Sequence, residues 1–535
     1  MATQSGRGGF ALFLGNASST FFNVVTVLII ARLLGPASYG LYAIVLAIPG
    51  IAVNVADLGM SSSLTRYSAR LKAQADDSKL SVVIETGLTL NLVTSAFALF
   101  AILISSNTLA LNILTRPDAA NYLRLTSMLI PASLLVLSTC ATLVGSWKMK
   151  QASLIMILQS LVKVILSPLL ILFGLGILGA LLGHILGYVA SAVLGLVLVL
   201  RYRQRLSTQP ERTMKHKEAA RMMLNYGLPV YLATLMTMLL LPYQNLVLAH
   251  FVSDVEIGNY NASVNFSAAI NLIAYPLTNV LFPIFSKTDI TREIDHLRHV
   301  FRLSVKYASL LIVPVAIGFM VLSKEVIVII YGSSYSTAHS YLSAYMGLFL
   351  LTGVGYLVVG NLFNGLGDTK ETLKMMAITI LVFVPTAPIM AKYFQVLGVI
   401  AVLVSSTLIG NVYGLKKSMK KYGVRLELKG LMGIYAASAI SAAPALVLTQ
   451  VVNWHPVIKL ATVGPLYLVT YLTAIPFLGA VDQTDVSNLR QIMGGVDLVK
   501  PLAKQILSYE AKLIRMRKNL SLSARGNNVQ EFPQS

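Results

Sequence analysis

Apolar residues run along this chain in blocks of about 20 to 29 positions, separated by short basic, polar or Gly/Pro-containing stretches. Fourteen blocks are read, at about 10-34, 41-63, 82-106, 122-146, 153-174, 177-200, 223-251, 260-285, 301-322, 338-365, 372-391, 396-415, 429-450 and 458-480. A helix rises 1.5 Å per residue, so about 20 apolar residues cross about 30 Å of hydrocarbon. Every block is long enough. The pattern predicts an all-α integral membrane protein with about 14 transmembrane helices.

The first two blocks set the repeating unit. Phe10 to Leu34 carries one charge, Arg32, and Leu41 to Ser63 carries one carboxylate, Asp57; a Gly-Pro turn joins them. Ala31, Gly40 and Tyr42 in ARLLGPASYGLY return as Ala249, Gly258 and Tyr260 in AHFVSDVEIGNY at a constant offset of 218. Ile104-Ser105 and Leu322-Ser323 keep that offset, and Lys150 and Lys370 return at 220. So long a register points to duplication. Residues 1-200 then form one six-helix bundle and 223-415 a second, joined by a cytoplasmic linker, 201-222. Six spans per copy insert both copies with the same orientation, which sets a pseudo-two-fold axis along the membrane normal. Their shared face is expected to enclose a cavity. Residues 416-480 add an accessory helix pair, helices 13 and 14, and 481-535 form a cytoplasmic tail. In the tail Asp482 is placed to cap a short helix. A longer one follows, with Leu502, Ile506, Tyr509, Leu513, Met516 and Leu520 on one face and basic residues around them. It suits the cytoplasmic leaflet; docking on the protein is the alternative.

The 535 residues are 56% hydrophobic and only 12% charged, yet carry a net charge of +21. With the N-terminus inside, 35 of the 42 Lys and Arg residues fall on the cytoplasmic side. That is the positive-inside asymmetry, which explains the charge without nucleic acid and puts both termini in the cytoplasm of a multi-pass protein of the cell membrane. The first block is too long for a removable signal and lacks a cleavage site. A lone cysteine, Cys140, excludes an internal disulfide framework and a cysteine-based zinc site. There is no P-loop, H-E-x-x-H or G-x-S-x-G motif, so no catalytic residue, metal or cofactor is assigned and an enzyme is not expected.

Lys163 lies in the middle of block five. A charge at that depth costs about 2.5–3.5 kcal/mol on insertion scales, so it must face protein or water. Gln159 and Ser167 share its face. Lys163 either meets an anionic substrate or pairs with a carboxylate such as Asp57. Asp57, with Asn54 and Ser61 on its face, is a candidate for ion coupling (H+ or Na+); pairing with Lys163 or Arg66 is the alternative. Arg32 and His250 occupy equivalent repeat positions. Arg32 either binds phosphate bidentately at the outer rim or snorkels to the interface, where His250 is also at home. Block eight carries Asn261, Asn265, Asn271, Tyr275 and Asn279, too many polar groups for a lipid-facing helix unless they bond between helices. His184 and Glu85 are further polar residues within the blocks.

ARLLGPASYGLY, the following VADLGMSSSLTRY, and NGLGDTKETL from Asn364 to Leu373 resemble the polysaccharide transporter (Wzx-type flippase) branch of the multidrug/oligosaccharidyl-lipid/polysaccharide (MOP) flippase superfamily, over about 480 residues. The resemblance implies a flippase moving polyprenyl phosphate- or pyrophosphate-linked oligosaccharide across the cytoplasmic membrane by alternating access, for surface polysaccharide or glycan assembly. It implies cavity walls from the first two helices of each half, which favours Arg32, Asp57, His250 and Tyr275; no family motif covers Lys163. The partners are then the lipid-linked oligosaccharide, membrane lipids and a coupling ion, with the transporter a monomer. A cation-coupled MATE-like exporter, a membrane glycosyltransferase or polymerase, and a scaffold without transport activity are the rival readings. Cationic drugs would favour acidic cavity residues, and a polymerase would need long outer loops.

Overall fold

The computed structural model describes the backbone of residues 2–206, 214–287, 293–493 and 500–527, and among these there is no β-strand. The helices are α1 (Ala2–Ala56), α2 (Met60–Ala73), α3 (Asp77–Thr108), α4 (Ala119–Thr126), α5 (Leu129–Gly145), α6 (Met149–Leu170) and α7 (Gly176–Gln204). They continue as α8 (His216–Met238), α9 (Leu240–Phe251), α10 (Asp254–Val264), α11 (Ser267–Lys287), α12 (Ile294–Val321), α13 (Ser323–Tyr331), α14 (Ala338–Leu350) and α15 (Val359–Gly365). The last five are α16 (Thr369–Tyr422), α17 (Leu428–Val451), α18 (Pro456–Phe477), α19 (Gln483–Met493) and α20 (Lys500–Asn527).

Eight helical stretches among the described residues are long and apolar enough to cross a membrane, or nine if a pair bent by 51° counts as one span. This is a multi-pass membrane protein. Three of the eight, Ala11–Ala56, Met149–Gln204 and Thr369–Tyr422, run to 46, 56 and 54 residues, more than twice what one crossing takes. Each is broken where the apolar pattern puts a turn. In α1 the break is Gly35, whose φ of 72° is open to glycine, followed by Pro36, which brings no amide donor. Gly174 and Gly176 separate α6 from α7, and Gln395 interrupts α16.

Other blocks depart from the pattern. Block two does not continue to Ser63, because Leu58 and Gly59 turn left-handed and α2 restarts behind them. Blocks seven and eight are each divided, between α8 and α9 and between α10 and α11.

The chain forms two compact units. The first holds Met1–Asn265, Ile330–Tyr341 and Ile380–Val402; the second holds the remainder. Helices α8, α9 and α10 therefore cluster with the first six blocks rather than with their own half.

In the first unit α2, α3 and α5 share a core in which Leu64, Leu80, Val83, Ile84, Leu143 and Ile155 are wholly buried. Along α7 a small-residue stripe lets α6 come close. A Cβ on Gly183 would collide with Ser167, and one on Gly195 with Thr139 of α5. In the second unit Phe285, Phe301 and Phe363 join α11, α12 and α15. A second cluster there packs α12, α17 and α18 against the tail helices α19 and α20.

The tail is docked on the protein. Asp482 caps α19 as predicted, its Oδ1 accepting the Asp485 amide at 2.8 Å. Lys306 of α12 donates to Asp485 at 2.7 Å and to Glu427 at 2.8 Å, and Tyr307 donates to Asp485 at 3.1 Å. On α20 the buried residues are Leu507, Glu510 and Leu513, while Tyr509 and Met516 are exposed. Of the predicted stripe, Tyr509 and Met516 are exposed, Ile506 is half-buried and Leu513 is buried, while the Leu502 and Leu520 side chains lie outside the described residues. Leu513 is buried because α18 and α19 supply the apolar partner.

Candidate site in the first unit

Lys163 faces the protein, as its depth in block five requires. It is 6% exposed, with Gln159 and Ser167 buried on the same face of α6. The helix presents this face to α7, where a Cβ on Gly187 would stand 3.4 Å from the Lys163 Cβ. Lys163 Nζ reaches across to α1 and donates to Asn23 Oδ1 at 3.4 Å. No carboxylate lies within ion-pair distance of it among the described residues. His184 of α7 is within electrostatic reach of Lys163. Its ring stacks on Tyr188, and its Nδ1 is 2.9 Å from the Tyr42 hydroxyl of α1. Three helices thus surround one cation with amide, imidazole and phenol groups. Such a set can receive an anion.

Asp57 does not pair with Lys163 or Arg66. It sits at the break between α1 and α2, where its Oδ1 accepts from the Ser61 hydroxyl at 2.5 Å and the Ser61 amide at 3.3 Å, so it caps α2. Asn91 Nδ2 donates to Ser138 Oγ at 2.6 Å and to Asp57 Oδ1 at 3.4 Å. The Asn91 Oδ1 is buried with no partner among the described residues. The Arg66 guanidinium instead lies 3.9 Å from the Tyr226 ring centroid.

Among the described side chains, Arg32, His250, Asn54 and Glu85 are placed elsewhere. Arg32 and His250 are exposed, His250 edge-on to Phe251. Asn54 is half-buried, and its carbonyl accepts from Tyr231 at 2.6 Å. The Tyr275 side chain lies outside the described residues. Glu85 is taken by Arg203 at 2.5 Å. Asn23, Tyr42 and Tyr188 escaped sequence reasoning as site residues. Asn23 had one available signal, an amide inside an apolar block.

The repeated hairpins meet at two places in this unit. At the Gly35 end, a Cβ on Gly40 would overlap the Asp254 carbonyl and one on Gly258 would overlap the Pro36 carbonyl, so these two glycines seat each hairpin against the other. Ala31 and Ala249 are equivalent as well. The Ala31 carbonyl accepts from Tyr335 at 2.6 Å, and that of Ala249 from Thr115 and Arg116, both at 3.1 Å. Arg116 also pairs with Asp254 at 2.8 Å. At the Gly59 end, Gly59 and Gly227 touch through their backbones, and Ser63 donates to the Met223 carbonyl at 2.7 Å. Both ends are in contact together.

Residues 29–340 match the family described as polysaccharide biosynthesis protein. The succinoglycan biosynthesis transport protein ExoT of Rhizobium meliloti is 22% identical over 315 residues, 59% of this chain and 60% of that protein. The match therefore spans less than two thirds of ExoT's own length. The protein of Haloferax volcanii named "probable low-salt glycan biosynthesis flippase Agl15" is 20% identical over 392 residues, 73% of this chain and 79% of that one. Among solved structures, the lipid II flippase MurJ in an inward closed conformation superposes with a TM-score of 0.68 at 17% identity, over 86% of this chain and 97% of MurJ. An inward-facing multidrug resistance MATE family transporter of the MOP superfamily gives 0.65 at 17%, over 76% and 94%.

Proposed function

The chain belongs to the polysaccharide biosynthesis protein family, and on that premise we propose that it is a flippase of the MOP superfamily for polyprenyl phosphate- or pyrophosphate-linked oligosaccharide. In this reading two like-oriented six-helix bundles and an accessory pair, fourteen spans in all, sit in the cytoplasmic membrane with both termini in the cytoplasm. The observation that carries it is Lys163, a buried cation without a carboxylate partner among the described residues, set among Asn23, His184 and Tyr42.

A sugar pyrophosphate crossing hydrocarbon alone would lose its hydration, at several kcal/mol per polar group and far more for its charge. A hydrated path with a fixed cation lowers that barrier while the lipid tail stays in the bilayer. No bond has to be made or broken. The contacts at the Gly35 and Gly59 ends act as the two gates of alternating access, and opening one while the other holds exposes Lys163 to one leaflet at a time. Asp57 and the unpartnered Asn91 Oδ1 are the oxygens we assign to a coupling cation. The MATE-like reading is weaker because the buried unpaired group at this site is a lysine, which repels cationic drugs.

Lys163→Ala should abolish transport with the protein inserted at its normal level, and Lys163→Arg should retain part of it. Leaflet-resolved analysis of lipid-linked sugars in cells lacking the protein should show them accumulating on the cytoplasmic leaflet. Unchanged pools with intact surface glycan would contradict the assignment.

A further inference from the structure

The second unit holds a cavity of about 460 Å³ between α12, α18 and the tail helices. It runs along α18 from Leu460 to Ile475, about 22 Å of helix, with Leu310, Pro314 and Gly318 of α12 opposite. Its polar content is confined to one end. Tyr467 and Tyr471 line the wall, but their hydroxyls turn to the backbone, donating to the carbonyls of Pro314 and Leu310 at 2.9 Å each. Glu510 of α20 lines the cavity too. It is 4% exposed, and neither carboxylate oxygen has a partner among the described residues.

A buried carboxylate in an apolar cavity without partners is costly when ionised, and a cation within reach would supply what it lacks. We infer that this cavity binds a long-chain primary ammonium amphiphile, its head on Glu510 and its alkyl chain along α12 and α18. The elongated apolar shape takes the chain, and the single carboxylate selects the sign of the head. Burial pushes the Glu510 carboxyl up to about 8, so the empty site holds its proton near neutrality; an arriving ammonium group favours the carboxylate, and the proton is released to water. The Glu510 carboxyl gives a purely anionic head no counter-charge, so the occupant differs from the anionic cargo proposed above. The inference does not depend on that reading.

The test uses the full chain in phosphatidylcholine nanodiscs, titrated with radiolabelled dodecylamine near neutral pH, with empty nanodiscs subtracted. One saturable site per chain is expected, displaced by unlabelled dodecylamine and not by dodecanoate. Glu510→Gln should weaken binding by at least about tenfold. Gly464→Phe should remove the site from the other end, since Gly464 lines the cavity with only Leu322 nearby, at 3.8 Å from an added Cβ. Thermal melting verifies folding of both variants, and Glu510→Gln, which removes an unpaired buried acid, should melt no lower than the parent. Displacement by phosphatidylethanolamine in the disc identifies a membrane aminolipid as occupant; no displacement identifies a free alkylamine. Equal affinity in Glu510→Gln, equal displacement by dodecanoate, or an absence of saturable binding would overturn the inference.

Discussion

At Glu510 the physical chemistry runs against sequence intuition. A glutamate on a basic amphipathic helix is read as solvated, yet this one is buried among apolar and phenolic groups, where its neutral form is favoured. Its proton is held more tightly in the docked state than in the free chain. The docking it permits is therefore complete below the ordinary carboxylate range and is lost as pH rises through about 8. The titratable groups that face it from the packed helices are Tyr467 and Tyr471 of α18. Hydrogen exchange of α20 amides, corrected for intrinsic rates, should rise between about pH 5 and about pH 8 and level off above, and Glu510→Gln should flatten that rise. Lys163 is the opposite case. Its depth alone predicted that it points inward, and the structure agrees; its partner Asn23, 140 residues away in sequence, needed the fold.

The tail helices show how an element is held by few contacts. Lys306 and Asp485 are 5% and 4% exposed at the side chain, so each is the other's compensation for leaving water. Lys306→Met should free α19 from α12 at a cost of about 3 kcal/mol. That is the low end of the range for breaking a buried pair, because Tyr307 and the Asp482 amide still serve Asp485. Faster proteolysis after residue 480 would report it, and Lys306→Met with Asp485→Leu should recover most of the loss. The same tail shows what the amphipathic pattern of α20 leaves out. Periodicity finds an apolar stripe, but α18 and α19 bury the neighbouring one that carries Leu507, Glu510 and Leu513.

Over the whole molecule, the close-packed glycines Gly40 and Gly258 have the clearest consequence. Gly258 has no room for a side chain against Pro36. Gly258→Val should hold the Gly35 end apart and lower flipping by at least about tenfold, with normal membrane insertion. The gating readout is a Pro36→Cys probe in a Cys140→Ser background, which should react faster with a membrane-impermeant maleimide when Gly258→Val is present. Equal labelling would remove this contact as a gate.

The sequence by itself determined the membrane class, the all-helical fold, the turns at Gly35, at Gly174 with Gly176 and near Gln395, and the buried face of α6. These follow from local composition, because hydrocarbon acts as solvent on every apolar run and a mid-block charge or Gly-Pro step is costly or permissive wherever it occurs. The tertiary structure decided which groups meet Lys163, that Asp57 bonds to Ser61 instead of pairing with Lys163 or Arg66, that α8 to α10 cluster in the first unit, and which described residues of α20 are buried. Those outcomes depend on close approach between residues far apart in the chain, and composition carries no record of which helix a given face will meet.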